Sequence, residues 1–478
     1  MRVILAFLIT FSILVLCHAQ QASDGDVRRR LFAPKIKLEP CDMPPSVDNS
    51  NCKYFPPVIS QSGGSCAQAS GIGYMFTYEI NRLLDRDASA SAENRFSYLF
   101  SWNMLNGGHD EGGFVDEGLD LAKRYGIMTE ADYGFPYTYA FRWASGYDKY
   151  LNAFRYRVRD IYSFADSVPL MKRWLYDAGD GSSRGGVLTF SGMSSGWRID
   201  NDYQGPSLTG YRSLLTALPT SGSHAMTIVG YDDTVSYTDA QGVTHTGAFI
   251  VCNSWGTFSH DNGRYYYPYD FFRDPTISTS VLSDKVNAIT VRIHQPLVVF
   301  KVRIAYSSRD DLHFTMTTTT EETADAKPAS LKWRPVAAFY NAGGDYPMQG
   351  SYADETIELA MDYTDYMTSA QDDYYSYRLN IIRSLGGNKK GSGRLLSLSV
   401  IDYRYGAPQE SVYEGQLPIE LKDGNNYFDI RNQADAIGEV SAAAPSSSDI
   451  YDLQGRKVTP GTLKRPGLYI TGGRKVLY

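Results

Sequence analysis

Cys66, His224 and Asn253 are the residues of this sequence whose types and settings suit covalent chemistry. Cys66 follows QSGGS and opens AQASGIGYMFTYEINRLL, where Ala69, Ile72, Phe76, Ile80 and Leu83 recur at helical spacing, so the thiol is predicted at a helix N-terminus. Unpaired backbone N–H groups and the positive end of the helix dipole favour a thiolate there, drawing the thiol below its free pKa of about 8.5. A thiolate nucleophile needs an imidazole to hold its proton and later protonate a leaving amine, and the imidazole needs a third group to fix its tautomer. His224 lies in SGSHAMTIVGYDD, at the head of an apolar run from Ala225 to Val229 that reads as a strand ended by Gly230. Asn253 lies in GAFIVCNSWGT, at the end of a second apolar strand. Polar residues at neighbouring strand ends can face one cleft.

Other reactive residues have duller readings. Cys252, inside AFIVC, reads as a small buried hydrophobe, and Cys41 and Cys52 lie in a Pro-rich lead where they could form a disulfide in an oxidising compartment. GMSSG, from Gly192 to Gly196, fits the pattern of a serine nucleophile elbow at Ser194, but that elbow requires a helix immediately afterwards. WRIDNDYQGPSLTG has no sustained helical period, so a serine hydrolase is the weaker alternative. No H-E-x-x-H, C-x-x-C or phosphate-loop pattern occurs, and neither a metal nor a cofactor is expected.

Four motifs in order, spanning roughly residues 46 to 275, resemble the papain-like cysteine peptidases. Gln61 with Gly64-Ser65-Cys66 is similar to the active-site segment, SHAMTIVGYDD to the histidine strand, and NSWGT followed by DNGRYYYPYDFF to the asparagine segment. GGFVDEGLDLAKRYGIMTEADYGFPY is similar to the substrate-cleft loop and helix, with Gly112 and Gly113 at its glycine pair and Leu119, Ala122 and Tyr125 on one helical face. The resemblance implies hydrolysis of peptide bonds through a thioester acyl-enzyme. Cys66 would be the nucleophile, His224 the general base and acid, and Asn253 the orienter of the imidazole. Gln61 and the Cys66 N–H would form the oxyanion hole, Trp255 would shield the Asn–His bond, and Gly112, Gly113 and Ala225 would face substrate. A silent binder of peptides or glycans that keeps this fold is the other alternative.

Departures from the family pattern are specific. Gln61 precedes Cys66 by five positions, one fewer than usual, so the oxyanion loop must be tighter or shifted. Ala67 stands where an aromatic residue usually follows the nucleophile. Gly63 and Asp110 stand where two cysteines usually bond to each other, and their joint loss leaves no orphan thiol. The polar stretch DDTVSYTDAQGVTHTG between His224 and Asn253 reads as a longer hairpin.

The whole chain frames these motifs. Its 478 residues suggest about three domains, or two with appendages. A hydrophobic share of 43% with 21% charged residues is ordinary globular usage and excludes wholesale disorder. With 46 basic and 53 acidic residues, the net charge of −7 offers no broad attraction for phosphate backbones, and no nucleic-acid partner is expected. Arg2 precedes the apolar run VILAFLITFSILVL, and Cys17-His18-Ala19 supplies a processing site, so residues 1–19 read as a signal peptide cut after Ala19. Leu16 is a poor fit to acylation of Cys17, and no stretch is long enough for a transmembrane span.

The expected fold class is α+β. An irregular lead, 20–45, lacks the stripe of a helical inhibitory propeptide, and its Arg28-Arg29-Arg30 reads as a solvated charge run. A two-lobed papain-like domain, one lobe helical and one β-barrel-like, covers 46–280. Alternation in VRIHQPLVVFKVRIAY, TIELAMDY and YYSYRLNII then predicts an antiparallel β-sandwich over 285–432, followed by a linker, 433–447. The short-stranded β tail, 448–478, resembles C-terminal tails of secreted Bacteroidetes proteins that serve in export and sorting. That resemblance implies a Gram-negative source, contact with export machinery, and a destination in the periplasm, at the outer surface or outside the cell.

Overall fold

In the computed structural model, the described residues are 38, 41–135, 140–164, 167–217, 221–273, 286–319, 336–337, 343–350, 354–367, 374–383 and 391–432, with tail strands at 450–451, 457–458, 468–471 and 474–477. The signal peptide, the arginine run and the linker lie outside them. The chain is mixed α and β, with several sheets. No helix among the described residues is long and apolar enough to cross a membrane.

The first sheet is built on the strand His224–Thr238, which pairs antiparallel with Leu188–Gly192 on one side and Thr244–Cys252 on the other. The polar stretch after Gly230 forms the expected hairpin, turning at Asp239–Gly242. Thr244–Cys252 continues to Arg264–Pro268, while Ser46–Asp48 pairs with Gly230–Asp232. Period-two alternation in these strands divides their side chains between two cores. Ala225, Val229, Ile250 and Cys252 join the core of the helices, whereas Met226, Ile228, Phe249, Val251 and Tyr267 pack with Trp174 behind the sheet.

Cys66–Gln68, Ala69–Phe76 and Thr77–Leu84 form one continuous helix, its middle section wound as a π-helix. All of Ala67 to Asn81 is buried. The expected single stripe is therefore too narrow, and it also runs too far, since Leu83 is 52% exposed at the solvent end. The helix Val115–Tyr125 packs on it, burying Leu119 and Ala122.

The expected domain boundary needs correction. Val286–Ile293 pairs along its length with Tyr156–Phe164 and touches Leu188–Gly192, so it belongs to the first sheet, and the second unit begins after His294. Beyond it lie two antiparallel sheets. One orders Thr356–Asp362, Val298–Tyr306, Gly393–Asp402 and Gln409–Val412, and the other orders Val336–Ala337, Leu312–Thr319, Ser376–Arg383 and Gly424–Arg431. Val298, Phe300, Val302, Ile304 and Tyr306 are all buried, and Phe300 meets Tyr377 of the other sheet edge-on at 6.2 Å.

Polar groups join the two units. Arg157, 1% exposed, is paired with Asp362 and Asp365, and His294 holds Asp362 at 2.6 Å. The buried Arg309 lies 4.0 Å from the centre of the Trp143 ring and donates to the Gly343 carbonyl. A Cβ on Gly344 would overlap the Gly107 carbonyl, and one on Gly108 would lie 2.5 Å from the Tyr346 ring, so loop meets loop with only glycine between them.

The expected Cys41–Cys52 bridge is absent, and both residues are free thiols. The extended strand Ser46–Asp48 lies between them in the chain, docked on Gly230–Asp232. It leaves Cys41 near Arg173 and Tyr231, while the Cys52 sulfur donates to Asn49 O at 3.0 Å on the far side.

Candidate active site

Cys66 begins its helix, and Ser65 ahead of it gives no side-chain cap. The Ser65 hydroxyl turns back to the Ser62 carbonyl instead. The first-turn amides are thus left to the sulfur, which is faced by the N–H groups of Ala225, Ala67 and Cys66 itself. Contact with Ala225 brings the head of the His224 strand against the thiol. The expected fall in thiol pKa does not follow, because burial pushes the thiol up and the three amides recover only part of that rise.

His224 is 4% exposed, and its Nε2 lies 2.8 Å from Asn253 Oδ1. The same Oδ1 accepts the Ser254 amide at 2.7 Å, which identifies it as the oxygen. Nε2 must therefore carry a hydrogen, and Nδ1 is the nitrogen left to take a proton. Burial lowers the His224 pKa, and the bond to Asn253 raises it in opposition. Trp255 stacks on the imidazole, with ring centres 4.7 Å apart and planes at 24°.

Gln61 is tied to the asparagine segment rather than left in a free loop. Its backbone N–H donates to Ser254 O at 2.7 Å, and its side-chain oxygen accepts the Ser254 hydroxyl at 2.6 Å. Nε2 donates one hydrogen to Gly63 O at 2.9 Å, leaving its second for another acceptor. Gly63, at φ 51°, makes the sharp turn that takes up the missing residue between Gln61 and Cys66.

Gly63 and Asp110 do meet. Asp110 Oδ1 accepts the Gly64 N–H at 2.6 Å, and a Cβ on Gly63 would overlap that carboxylate. This hydrogen bond joins the two loops. Beyond Asp110, the Trp102 indole N–H holds Glu111 O at 3.0 Å, and the exposed Gly112 and Gly113 follow. A Cβ on Gly112 would meet nothing within 4 Å, so this rim is open.

Three residues in contact with these segments escaped the sequence reading. Ser70 donates to Met226 O at 2.7 Å and contacts the Thr227 hydroxyl, binding the Cys66 helix to the His224 strand. The Tyr74 hydroxyl donates to Asn253 O and accepts the Ile59 N–H. Both residues follow Cys66 at i+4 and i+8, and that spacing was the available signal. The third, His260, contacts Asn253 from its other side. Ser194 is followed by the strand Arg198–Asp200 and not by a helix, so the requirement of a serine elbow is unmet. Cys252 is fully buried, with burial pushing its thiol up to about 11.

No protein-family model and no curated protein match this chain. Solved structures do. Xylellain, a cysteine protease from Xylella fastidiosa, is similar over 54% of this chain and 92% of its own, at 18% identity and a TM-score of 0.39. Procathepsin B S9 from Trypanosoma congolense is similar over the same 54% and 83% of its own length, at 15% identity and a TM-score of 0.37. Digestive procathepsin L 3 of the Tenebrio molitor larval midgut is similar over 54% and 74% of its own length, at 16% identity and a TM-score of 0.37.

Proposed function

We propose that this chain is a papain-like cysteine peptidase that hydrolyses peptide bonds through a thioester. The observation carrying the reading is the tether of His224 through Nε2 to Asn253, which leaves Nδ1 as base on the strand whose next amide faces the Cys66 sulfur. Burial favours the uncharged thiol and imidazole separately, so thiolate and imidazolium form together as the proton passes from Sγ to Nδ1. The sulfur attacks the scissile carbonyl carbon, and the oxyanion takes hydrogens from the Cys66 amide and the second N–H of Gln61. Nδ1–H of His224 then protonates the leaving amine as the carbon–nitrogen bond breaks. Water, deprotonated by the same nitrogen, cleaves the thioester and frees the thiol.

Gly112, Gly113 and the Ala225 backbone are assigned to the bound peptide. The reading extends to a two-lobed catalytic unit, a β-sandwich after His294, export directed by residues 1–19, and a sorting role for 448–478. The test is Cys66→Ala: peptide hydrolysis and labelling by a thiol-directed epoxide should both vanish, while a serine-directed phosphonate labels neither protein. Unchanged turnover by the variant refutes the assignment.

A further inference from the structure

The Asn253 side chain is held at both ends, and only one end faces His224. With Oδ1 fixed by the Ser254 amide, Nδ2 points the opposite way and meets His260 Nε2 at 3.2 Å. An amide nitrogen only donates, so this ring nitrogen must be bare and the His260 proton must sit on Nδ1. His260 is built into that position. Its backbone adopts φ 53°, a left-handed conformation uncommon outside glycine. Its ring packs against Tyr265 at 4.9 Å, Trp197 at 6.0 Å and Trp255 at 6.3 Å.

We propose that His260 is a positioning residue of the candidate peptidase site: its neutral ring accepts the Asn253 amide proton and keeps Oδ1 on His224, and protonation of that ring releases the hold. The proposal rests on the peptidase reading and deepens it. A protonated His260 would set N–H against N–H, so Asn253 would have to turn or withdraw, and His224 would lose its acceptor. Asn253 thereby links two imidazoles whose protons oppose each other. Burial, and then the charge of His224, hold the His260 pKa down to about 4, so the hold persists through mildly acidic conditions. Other groups facing the ring or flanking it are accounted for. The Tyr265 hydroxyl donates to Met226 sulfur, and on His260's own loop Asp261 accepts the Arg212 amide.

The test uses the full chain with His260→Phe, which removes the acceptor, and His260→Gln, whose side-chain oxygen replaces it without titrating. Alkylation of Cys66 by iodoacetamide, followed by mass spectrometry from pH 3.5 to 8, is measured beside peptide kcat/KM. The Phe variant should be about five- to tenfold slower in both at pH 6, the scale of one hydrogen bond. The Gln variant should recover to within about threefold of wild type and lose the fall near pH 4. A Phe variant with the wild-type profile overturns the proposal, as does a Gln variant that keeps the wild-type acid fall. If circular dichroism shows the Phe variant unfolded, the Gln profile decides alone. Absence of both hydrolysis and selective Cys66 alkylation in wild type would instead refute the peptidase reading.

Discussion

Replacing Asn253 by alanine removes the side-chain acceptor on the His224 ring while leaving the Trp255 stack against that ring. The Tyr74 anchor survives too, because it binds the Asn253 backbone carbonyl. What is lost is a hydrogen bond to a group that becomes cationic in the proposed reaction, worth about 1.5–3 kcal/mol. At about 1.4 kcal/mol per tenfold, kcat/KM should fall by roughly 10- to 150-fold. The pH profile should change in a defined direction. Burial already lowers the His224 pKa and Asn253 opposes it, so the variant's imidazole loses its proton at lower pH. The thiolate–imidazolium form persists only until that proton leaves, so the alkaline limb should move down. A peptide kcat/KM profile from pH 4 to 9 measures both. A loss under threefold with an unmoved alkaline limb would refute the role assigned to Asn253.

Two further outcomes concern the supports of the site. Asp110→Ala should free the Gly64 amide and loosen the Gln61–Cys66 turn, lowering kcat by about three- to tenfold; equal kcat in both proteins would show that the turn holds without the carboxylate. Asp362→Ala removes one of the two carboxylates on the buried Arg157 and the close acceptor of His294, leaving Asp365 on Arg157, and should cost about 1–3 kcal/mol in urea unfolding at pH 7. Burial raises the Asp362 pKa, but the His294 hydrogen bond and the Arg157 charge outweigh it and the net shift is downward. Its contribution is therefore complete above the ordinary value of 3.8 and lost as pH falls through the lower folded value, so wild type and variant should converge in strong acid. A constant gap across that range would contradict the assignment.

Local pattern made parts of this molecule legible. Helical spacing located the Cys66 helix, and the apolar runs AMTIV and AFIVC located the strands that end near His224 and Asn253. Non-local pairing was not legible in the same way. Val286–Ile293 alternates like the strands after it, and only its partner, Tyr156–Phe164, some 130 residues earlier, assigns it to the first sheet. The same limit produced the Cys41–Cys52 expectation, since closeness in sequence ignores a strand docked between two thiols. His260 was missed because its partner is the far end of an amide whose near end had already been assigned a role.

The second unit is more than an appendage to the first. Arg309, drawn onto Trp143, secures the Gly343 carbonyl, and the adjoining Gly344 packs without a side chain on Gly107. Tyr346 covers Gly108 in the same loop. Two residues further on, Asp110 holds the Gly64 amide, itself two residues from the sulfur. The rim that precedes Gly112 and Gly113 is thus pinned from one side by the turn before Cys66 and from the other by a loop more than 230 residues away. A loop of glycines and polar residues has little packing of its own to resist motion. Its geometry is borrowed from the unit behind it, and three short links connect the Arg309–Trp143 contact to the turn before Cys66.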